Sequence, residues 1–278
     1  MIDPVNDPRV RRVAYVAADQ PHTEAIERAF RELTGGDAAH NVLVYPFERR
    51  ARDHDVDREF AEWIGTFQPD WVWMQLEDTG VIRPQTIARA RQAAPRAVFT
   101  DFTLDYAPKV TAYRADIAAA VDIAFVPSRG QLAAYFEAGC HDVSYCPPAV
   151  DWRRDVFGTH SVGYEVPDVV FVGNCYADSP WPKGTQERLD TVRAIRDAGF
   201  DVGVFGAGWP SDIRVVRDSL PFVAQSAVYR EARIVLSVSH ANDVEGYFSD
   251  RLPIAMASGT PVLAMYSPGL EELFDEGD

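Results

Sequence analysis

Short apolar runs alternate with amphipathic stretches along most of the chain. The apolar runs predict buried strands, and between Thr23 and Leu33 the apolar residues recur every three or four positions, as in a helix. Strands that alternate with helices indicate βαβ units and a parallel sheet. In the first half we predict strands at residues 11–18, 41–45, 71–76, 97–100, 123–126 and 143–146, and helices at 23–33, 56–67, 84–93, 110–120 and 130–138.

The alternation stops at Pro147-Pro148 and resumes near residue 167. We therefore expect a domain at residues 1–150, a linker at 147–166 and a second domain at 167–278. The second half predicts strands at 169–174, 202–205, 234–238 and 261–265, and helices at 186–198, 226–232, 250–257 and 269–274. The fold class is α/β with two doubly wound domains, and the second, with four strands, is short for this type.

Composition and charge exclude several classes of protein. The 47% hydrophobic and 25% charged residues are close to the average of globular proteins. No apolar run is long enough to span a membrane, and the polar start of the chain does not resemble a signal peptide, so we expect a cytoplasmic protein. The net charge of −15 weighs against a duplex DNA partner. Three cysteines without a CxxC pair make a disulfide framework or a cysteine zinc site unexpected.

Ligands of open parallel sheets bind beyond the carboxyl ends of the strands, so residues that follow a strand are the candidates for chemistry. In the first domain, Glu77 and Asp78 follow the third strand and Asp101 follows the fourth. We predict Asp78 and Asp101 as candidate general bases and His22, after the first strand, as a contact to an acceptor or a phosphate. Each carboxylate could equally be a helix cap or a solvated loop residue.

In the second domain, glycines follow two of the predicted strands. Gly173-Asn174 lies between a strand and a helix, and Gly206, Gly208 and Trp209 form another strand exit. A glycine there lets a phosphate approach backbone amides, although a simple turn would also explain it. The full GxGxxG fingerprint of dinucleotide binding is absent.

A further candidate lies at the start of the helix predicted near Arg251. Ser249 or Asp250 could cap this helix, and an arginine in the first turn could hold a diphosphate through bidentate hydrogen bonds. The alternative is an exposed arginine that pairs with Asp250 or Glu245. Asp53-His54-Asp55 has the DxD pattern of metal-dependent sugar transferases, but it precedes a helix and is interpreted as a cap. We therefore expect no metal site.

The sequence from about residue 97 to residue 278 resembles a known family, and two segments near its end are the most specific part of this resemblance. Residues Tyr247 to Ala264, followed by Ser267 to Phe274, resemble the donor-site region of family-1/family-4-like glycosyltransferases, most of all the CgeB-like branch. The resemblance implies a GT-B fold, in which two Rossmann-like domains face each other across a cleft. The second domain would hold a nucleoside-diphosphate sugar and the first would hold the acceptor. Carried over by position, the contacts to the nucleotide, the diphosphate and the sugar would come from Gly173, Asn174, Gly208, Tyr247, Ser249 and Arg251.

The implied activity is transfer of a sugar to an acceptor that could be a glycan, a lipid, a protein or a modified DNA base. The resemblance implies retaining, metal-independent chemistry without a cofactor, with a nucleotide sugar such as UDP-glucose as co-substrate. The sequence departs from the family where a second glutamate is common, because Pro253 and Ile254 stand there. The alternatives are a degenerate transferase homologue that binds nucleotide without turnover, a two-lobed solute-binding module, and a nucleotide-sugar epimerase.

Overall fold

The computed structural model describes residues 11–18, 23–35, 41–52, 55–158, 161–176, 178 and 182–274. The chain divides into two compact units. Unit 1 comprises Met1–Pro127 and Gln131–Cys146, and unit 2 comprises Ser128–Gly130 and Pro147–Asp278. Residues 147–166, which we predicted as a linker, are grouped with unit 2 and contain a short helix.

Unit 1 is built on a parallel sheet with the strand order β2-β1-β3-β4-β5-β6. Its strands are β1 (Val13–Ala17), β2 (Val42–Pro46), β3 (Trp71–Gln75), β4 (Val98–Phe102), β5 (Ile123–Val126) and β6 (Val143–Tyr145). Each overlaps a predicted strand, with ends that differ by at most two residues. The direction of winding reverses between β1 and β3, and ligands of such sheets bind at this reversal.

The helices of unit 1 follow the apolar spacing of the sequence. Phe60, Ile64 and Phe67 share one buried face of the third helix, which packs against the fourth. Asp55 caps the third helix by accepting a hydrogen bond from the Arg58 amide at 3.3 Å, which agrees with the cap interpretation. The helices are α1 (Thr23–Leu33), α2 (Phe47–Arg50), α3 (Val56–Phe67), α4 (Pro84–Ala93), α5 (Ala112–Ala120) and α6 (Leu132–Glu137), with a 3-10 turn before α6 at Arg129–Gln131.

Unit 2 contains a second parallel sheet, with the order β11-β10-β7-β8-β9. Its strands are β7 (Val169–Val172), β8 (Val202–Phe205), β9 (Val215–Arg217), β10 (Ile234–Ser237) and β11 (Val262–Ala264). The prediction of four strands missed β9, because this edge strand has no buried apolar run and Val215 is 40% exposed. The direction of winding reverses between β7 and β10.

The helices of unit 2 are α7 (Trp152–Asp155), α8 (Pro182–Asp197), α9 (Gln225–Glu231) and α10 (Arg251–Ala257). Helix α8 begins before the predicted residue 186, and the predicted last helix is a 3-10 turn at Leu270–Glu272. Another 3-10 turn, Phe222–Ala224, leads into α9. Across the described ranges of both units, the structure has no helix long and apolar enough to cross a membrane.

Candidate functional site

A pocket of about 540 Å³ lies within unit 2, at the carboxyl ends of the central strands. It spans the reversal between β7 and β10, the position at which open α/β sheets bind ligands. Side chains and backbone from the residues after four strands and from α8, α9 and α10 form its wall. The lining includes Gly173, Asn174, Arg188, Gly206, Asp218, Ser219, Gln225, His240 and Arg251.

Glycine is required in the turn after β8 because the turn after β7 lies directly against it. Gly206 has a φ of 149°, and a Cβ atom there would collide with the carbonyl oxygen of Gly173. The Asn174 side chain accepts a hydrogen bond from the Ala207 amide at 2.9 Å. The Trp209 indole donates to the Gly173 carbonyl at 2.9 Å. These contacts hold the two turns together and leave bare backbone at the pocket wall.

Gly208 completes the second turn from outside the pocket. Its φ is 81°, and a Cβ atom would lie 2.7 Å from the carbonyl oxygen of Cys175. The Trp209 ring packs edge-on against Phe171 of β7. Gly208 and Trp209 therefore shape the turns but do not line the pocket.

Arg188 enters the pocket from α8, where it is only 1% exposed. Its Nε donates to the Val238 carbonyl and its Nη1 to the Asn174 carbonyl, both at 3.0 Å. Its Nη2 is buried and has no hydrogen-bond partner among the described residues. Two of the three guanidinium nitrogens are thus fixed by backbone, and the third donor group is available for a ligand.

Arg251 lies at the start of α10, is half-buried and lines the same pocket. Its Nη2 is also buried without a partner in the described part of the chain. Within that part, no carboxylate oxygen lies within 4.0 Å, the limit for an ion pair, of a guanidinium nitrogen of Arg188 or Arg251. The predicted alternative, in which Arg251 pairs with Asp250 or Glu245, is therefore wrong.

The charge of Arg251 affects the titration of Arg188, and both charges affect a neighbouring histidine. Burial, followed by the charge of Arg251, lowers the pKa of Arg188 to about 9. Burial, followed by the charges of Arg188 and Arg251, lowers the pKa of His240 to about 3. At neutral pH the pocket therefore holds two cations and a neutral imidazole. Guanidinium groups recognise phosphate oxygens, so the pocket is chemically suited to a diphosphate.

Three predicted contact residues, Tyr247, Ser249 and Asp250, do not line the pocket. Tyr247 and Ser249 are buried, and the Ser249 amide donates to the Ser239 hydroxyl at 3.1 Å. Asp250 occupies the N-cap position of α10 but makes no side-chain cap bond. The Ser249 hydroxyl is buried and has no partner among the described residues. The predicted capping by Ser249 or Asp250 is therefore wrong.

In unit 1, Asp101 lies inside β4 and does not follow it, contrary to the prediction. The side chain is 0% exposed, and its Oδ2 forms an ion pair with the Arg114 guanidinium at 2.7 Å. The cause is that β4 extends two residues beyond the predicted strand end, to Phe102. A carboxylate enclosed in this way has a structural role in the sheet and presents no surface to a substrate.

Glu77 and Asp78 do follow β3, at the reversal of winding in unit 1. Glu77 has a φ of 47°, which is rare for a residue with a side chain. Its Oε1 accepts from the Leu104 amide, and its carbonyl accepts from Arg114, both at 3.1 Å. Burial raises the pKa of Glu77 to about 7. Asp78 is exposed and accepts from the Thr111 hydroxyl at 2.7 Å, and His22 lies outside the described residues.

Sequence reasoning missed Arg188 as a candidate because it lies within a helix and does not follow a strand. The helix begins after a glycine-containing strand exit, and an arginine in its first two turns was the available signal. Glu77 was recognised as a strand-end residue, but its hydrogen-bond partners Leu104 and Arg114 are distant in sequence and could not be predicted. Within the described residues, no group of three or more His, Cys, Asp and Glu side chains could hold a metal ion.

Comparisons with known proteins bear on both units. A family model described as glycosyl transferase-like matches residues 186–278. A search of curated proteins finds no match. The structure is similar to that of a putative UDP-N-acetylglucosamine 2-epimerase from Listeria monocytogenes, with 14% identity and a TM-score of 0.50 over 92% of this chain and 79% of the other. It also matches the spinosyn forosaminyltransferase SpnP, with 12% identity and a TM-score of 0.44 over 91% of this chain and 80% of the other.

At this identity the epimerase comparison shows the fold alone, and it agrees with the two parallel sheets described above. The predicted fold class, α/β with two Rossmann-like, doubly wound domains of the kind found in GT-B proteins, is thereby confirmed. The CgeB-like branch stays a prediction. Residues 186–278, which hold Arg188, Gly206, His240 and Arg251, match the family model. This segment is therefore similar to glycosyl transferase-like proteins, and the prediction of a glycosyltransferase is borne out as far as this match reaches.

Proposed function

We propose that the protein transfers a sugar from a nucleoside-diphosphate sugar to an acceptor, with the diphosphate held in the pocket of unit 2. One observation carries the proposal. Arg188 and Arg251 line the same pocket, each with a buried Nη2 that has no partner among the described residues, and neither is paired with a carboxylate there. Buried cations are normally paired, so the arrangement favours an anionic ligand.

The two arginines would also assist the chemistry. When the bond between the sugar and the diphosphate of the donor breaks, negative charge grows on the departing diphosphate. Fixed guanidinium groups stabilise that charge without reorganisation, because backbone carbonyls already hold two nitrogens of Arg188 in place. This arrangement supports the metal-independent chemistry that we predicted from the sequence.

The remaining predicted residues take different roles in the proposal. Gly173, Asn174 and Gly206 would let the diphosphate approach the backbone, since all three line the pocket. Gly208 and Trp209 would hold the strand-exit turns. The buried Tyr247 and Ser249 and the half-buried Asp250 would position the start of α10 and thereby Arg251. The expected nucleotide contacts of Tyr247 and Ser249 are not part of the proposal, because neither lines the pocket.

For the acceptor, we assign any proton transfer to Glu77 in place of Asp101. Glu77 is partly exposed at the reversal of winding in unit 1, and a carboxyl with a pKa near 7 can accept a proton at neutral pH. Asp78 and His22 remain proposals as acceptor contacts. The choice of UDP-glucose or another donor and the retention of configuration rest on the family resemblance.

A thermal-shift screen tests the proposal. The full chain is melted with UDP, GDP, ADP and dTDP, with their sugar conjugates and with free monosaccharides, all in the presence of EDTA. A ligand held by the folded state raises its stability by mass action. We expect a shift with at least one nucleoside diphosphate, its loss in R188M/R251M, and its retention in R193M, an arginine of α8 that pairs with Asp212 outside the pocket. A shift with free sugars alone would favour a solute-binding module.

A further inference from the structure

Gln225 brings an amide side chain into the same pocket from a different part of unit 2. It is the first residue of α9 and lines the pocket together with Asp218 and Ser219, which follow the edge strand β9. Its Oε1 is buried and has no hydrogen-bond partner among the described residues. Buried amide oxygens are almost always hydrogen-bonded, so this atom calls for a donor that the described protein does not supply.

The pocket has a cationic and a non-cationic part. Arg188 and Arg251 belong to the helices that follow β7 and β10, whereas Asp218 directly follows β9. In the strand order, β10 and β9 are three strand spacings apart, about 14 Å at the usual separation of neighbouring strands. The carboxylate of Asp218 repels phosphate, so a ligand with its diphosphate on the arginines must place an uncharged part toward the segment from Asp218 to Gln225.

We propose that the Gln225 carboxamide hydrogen-bonds the nucleobase of the donor and so contributes to the choice of nucleotide. This inference rests on the proposed function. A side-chain amide offers one acceptor and two donor hydrogens, and the pairing edge of a nucleobase presents donors and acceptors side by side. Rotation about the last side-chain torsion of glutamine is soft, which lets the amide turn toward either kind of group.

Gln225 would therefore read the base, while the arginines bind the part that all nucleoside diphosphates share. Inorganic pyrophosphate contains the shared part and lacks the base. Comparing the affinities for a nucleoside diphosphate and for pyrophosphate therefore separates the role of Gln225 from that of the arginines. It also separates that role from a general effect on the shape of the pocket.

Isothermal titration calorimetry on the full chain provides the test, with UDP, GDP, ADP, dTDP and inorganic pyrophosphate as probes. We expect Q225A to weaken the tightest nucleoside diphosphate about 3- to 10-fold, the range of one neutral hydrogen bond, and to leave the affinity for pyrophosphate unchanged. The matched control is Q186A, an exposed glutamine on α8 whose amide bonds Asp190. Q225M preserves the length of the side chain if Q225A melts early.

Two results would overturn the assignment while the proposed function stands. One is an unchanged affinity of Q225A and Q225M for every nucleoside diphosphate that the wild type binds. The other is an equal loss for nucleotide and pyrophosphate, which would make Gln225 a structural part of the anion site. If the wild type binds none of the nucleoside diphosphates and does not bind pyrophosphate, the proposed function fails, and the inference fails with it.

Discussion

Arg188 and Arg251 line one pocket of unit 2, and the charge of Arg251 is among the causes that lower the pKa of Arg188 to about 9. Two like charges are therefore held together in the folded protein without a carboxylate partner in the part of the chain that the structure describes. This arrangement costs stability in the free protein, and an anion between the two groups would remove that cost.

The first prediction concerns this repulsion. R251M should leave the free energy of unfolding unchanged or raise it by up to about 1 kcal/mol, because it removes a partly buried cation that no carboxylate neutralises. Millimolar pyrophosphate should stabilise the wild type and not R251M. Urea unfolding with and without pyrophosphate measures both effects, with R193M as control. A large loss of stability in R251M without ligand would show that Arg251 has a structural partner.

The second prediction concerns the contact between the turns after β7 and β8. G206A should cost more than about 2 kcal/mol, because the new Cβ would strike the Gly173 carbonyl and the backbone has a positive φ. Gly199 also has a positive φ, 91°, but a Cβ atom there would meet nothing within 4 Å. G199A should therefore lower the free energy of unfolding by only about 1 kcal/mol. Chemical denaturation of both variants compares them. Equal costs would mean that the two turns are not in contact.

The third prediction concerns the buried ion pair of unit 1. D101N should destabilise the protein by about 3–5 kcal/mol, since it leaves the buried Arg114 without its partner charge. D78N, at an exposed carboxylate, should change stability by less than about 0.5 kcal/mol. Unfolding curves at neutral pH test the pair. A fully stable D101N with reduced turnover would restore Asp101 as a catalytic base.

The fourth prediction follows from the raised pKa of Glu77. The carboxyl group of Glu77 releases its proton near pH 4.5 in the unfolded chain and near pH 7 in the folded chain. Between these values the folded state binds more protons, so the contribution of Glu77 to stability is lost as the pH rises from 4.5 to 7. E77Q should therefore gain stability relative to the wild type as the pH rises to about 8, whereas E137Q, at an exposed position on α6, should not. A constant difference across the pH range would contradict the shift.

The periodicity of the sequence predicts most of the fold because each element carries its own apolar pattern. Phe60 and Ile64 recur on one face of α3 and are both buried. Strand β9 was missed because Val215 and its neighbours are not buried, so no such pattern forms there. The candidate site was harder to predict. Arg251 and the glycines have local signals, but Arg188 becomes part of the site only when α8 places it against the carbonyls of Asn174 and Val238.

Donor cleavage tests the central claim most directly. The chain is incubated with the sugar conjugate of the nucleotide that gives the largest thermal shift, and release of free nucleoside diphosphate is followed over time, with water as the acceptor and EDTA present. We predict release by the wild type and by R193M, and a loss of at least about 10-fold in R188M and in R251M, the effect of removing one hydrogen bond to a charged group. Release at the same rate in all four proteins would contradict the account.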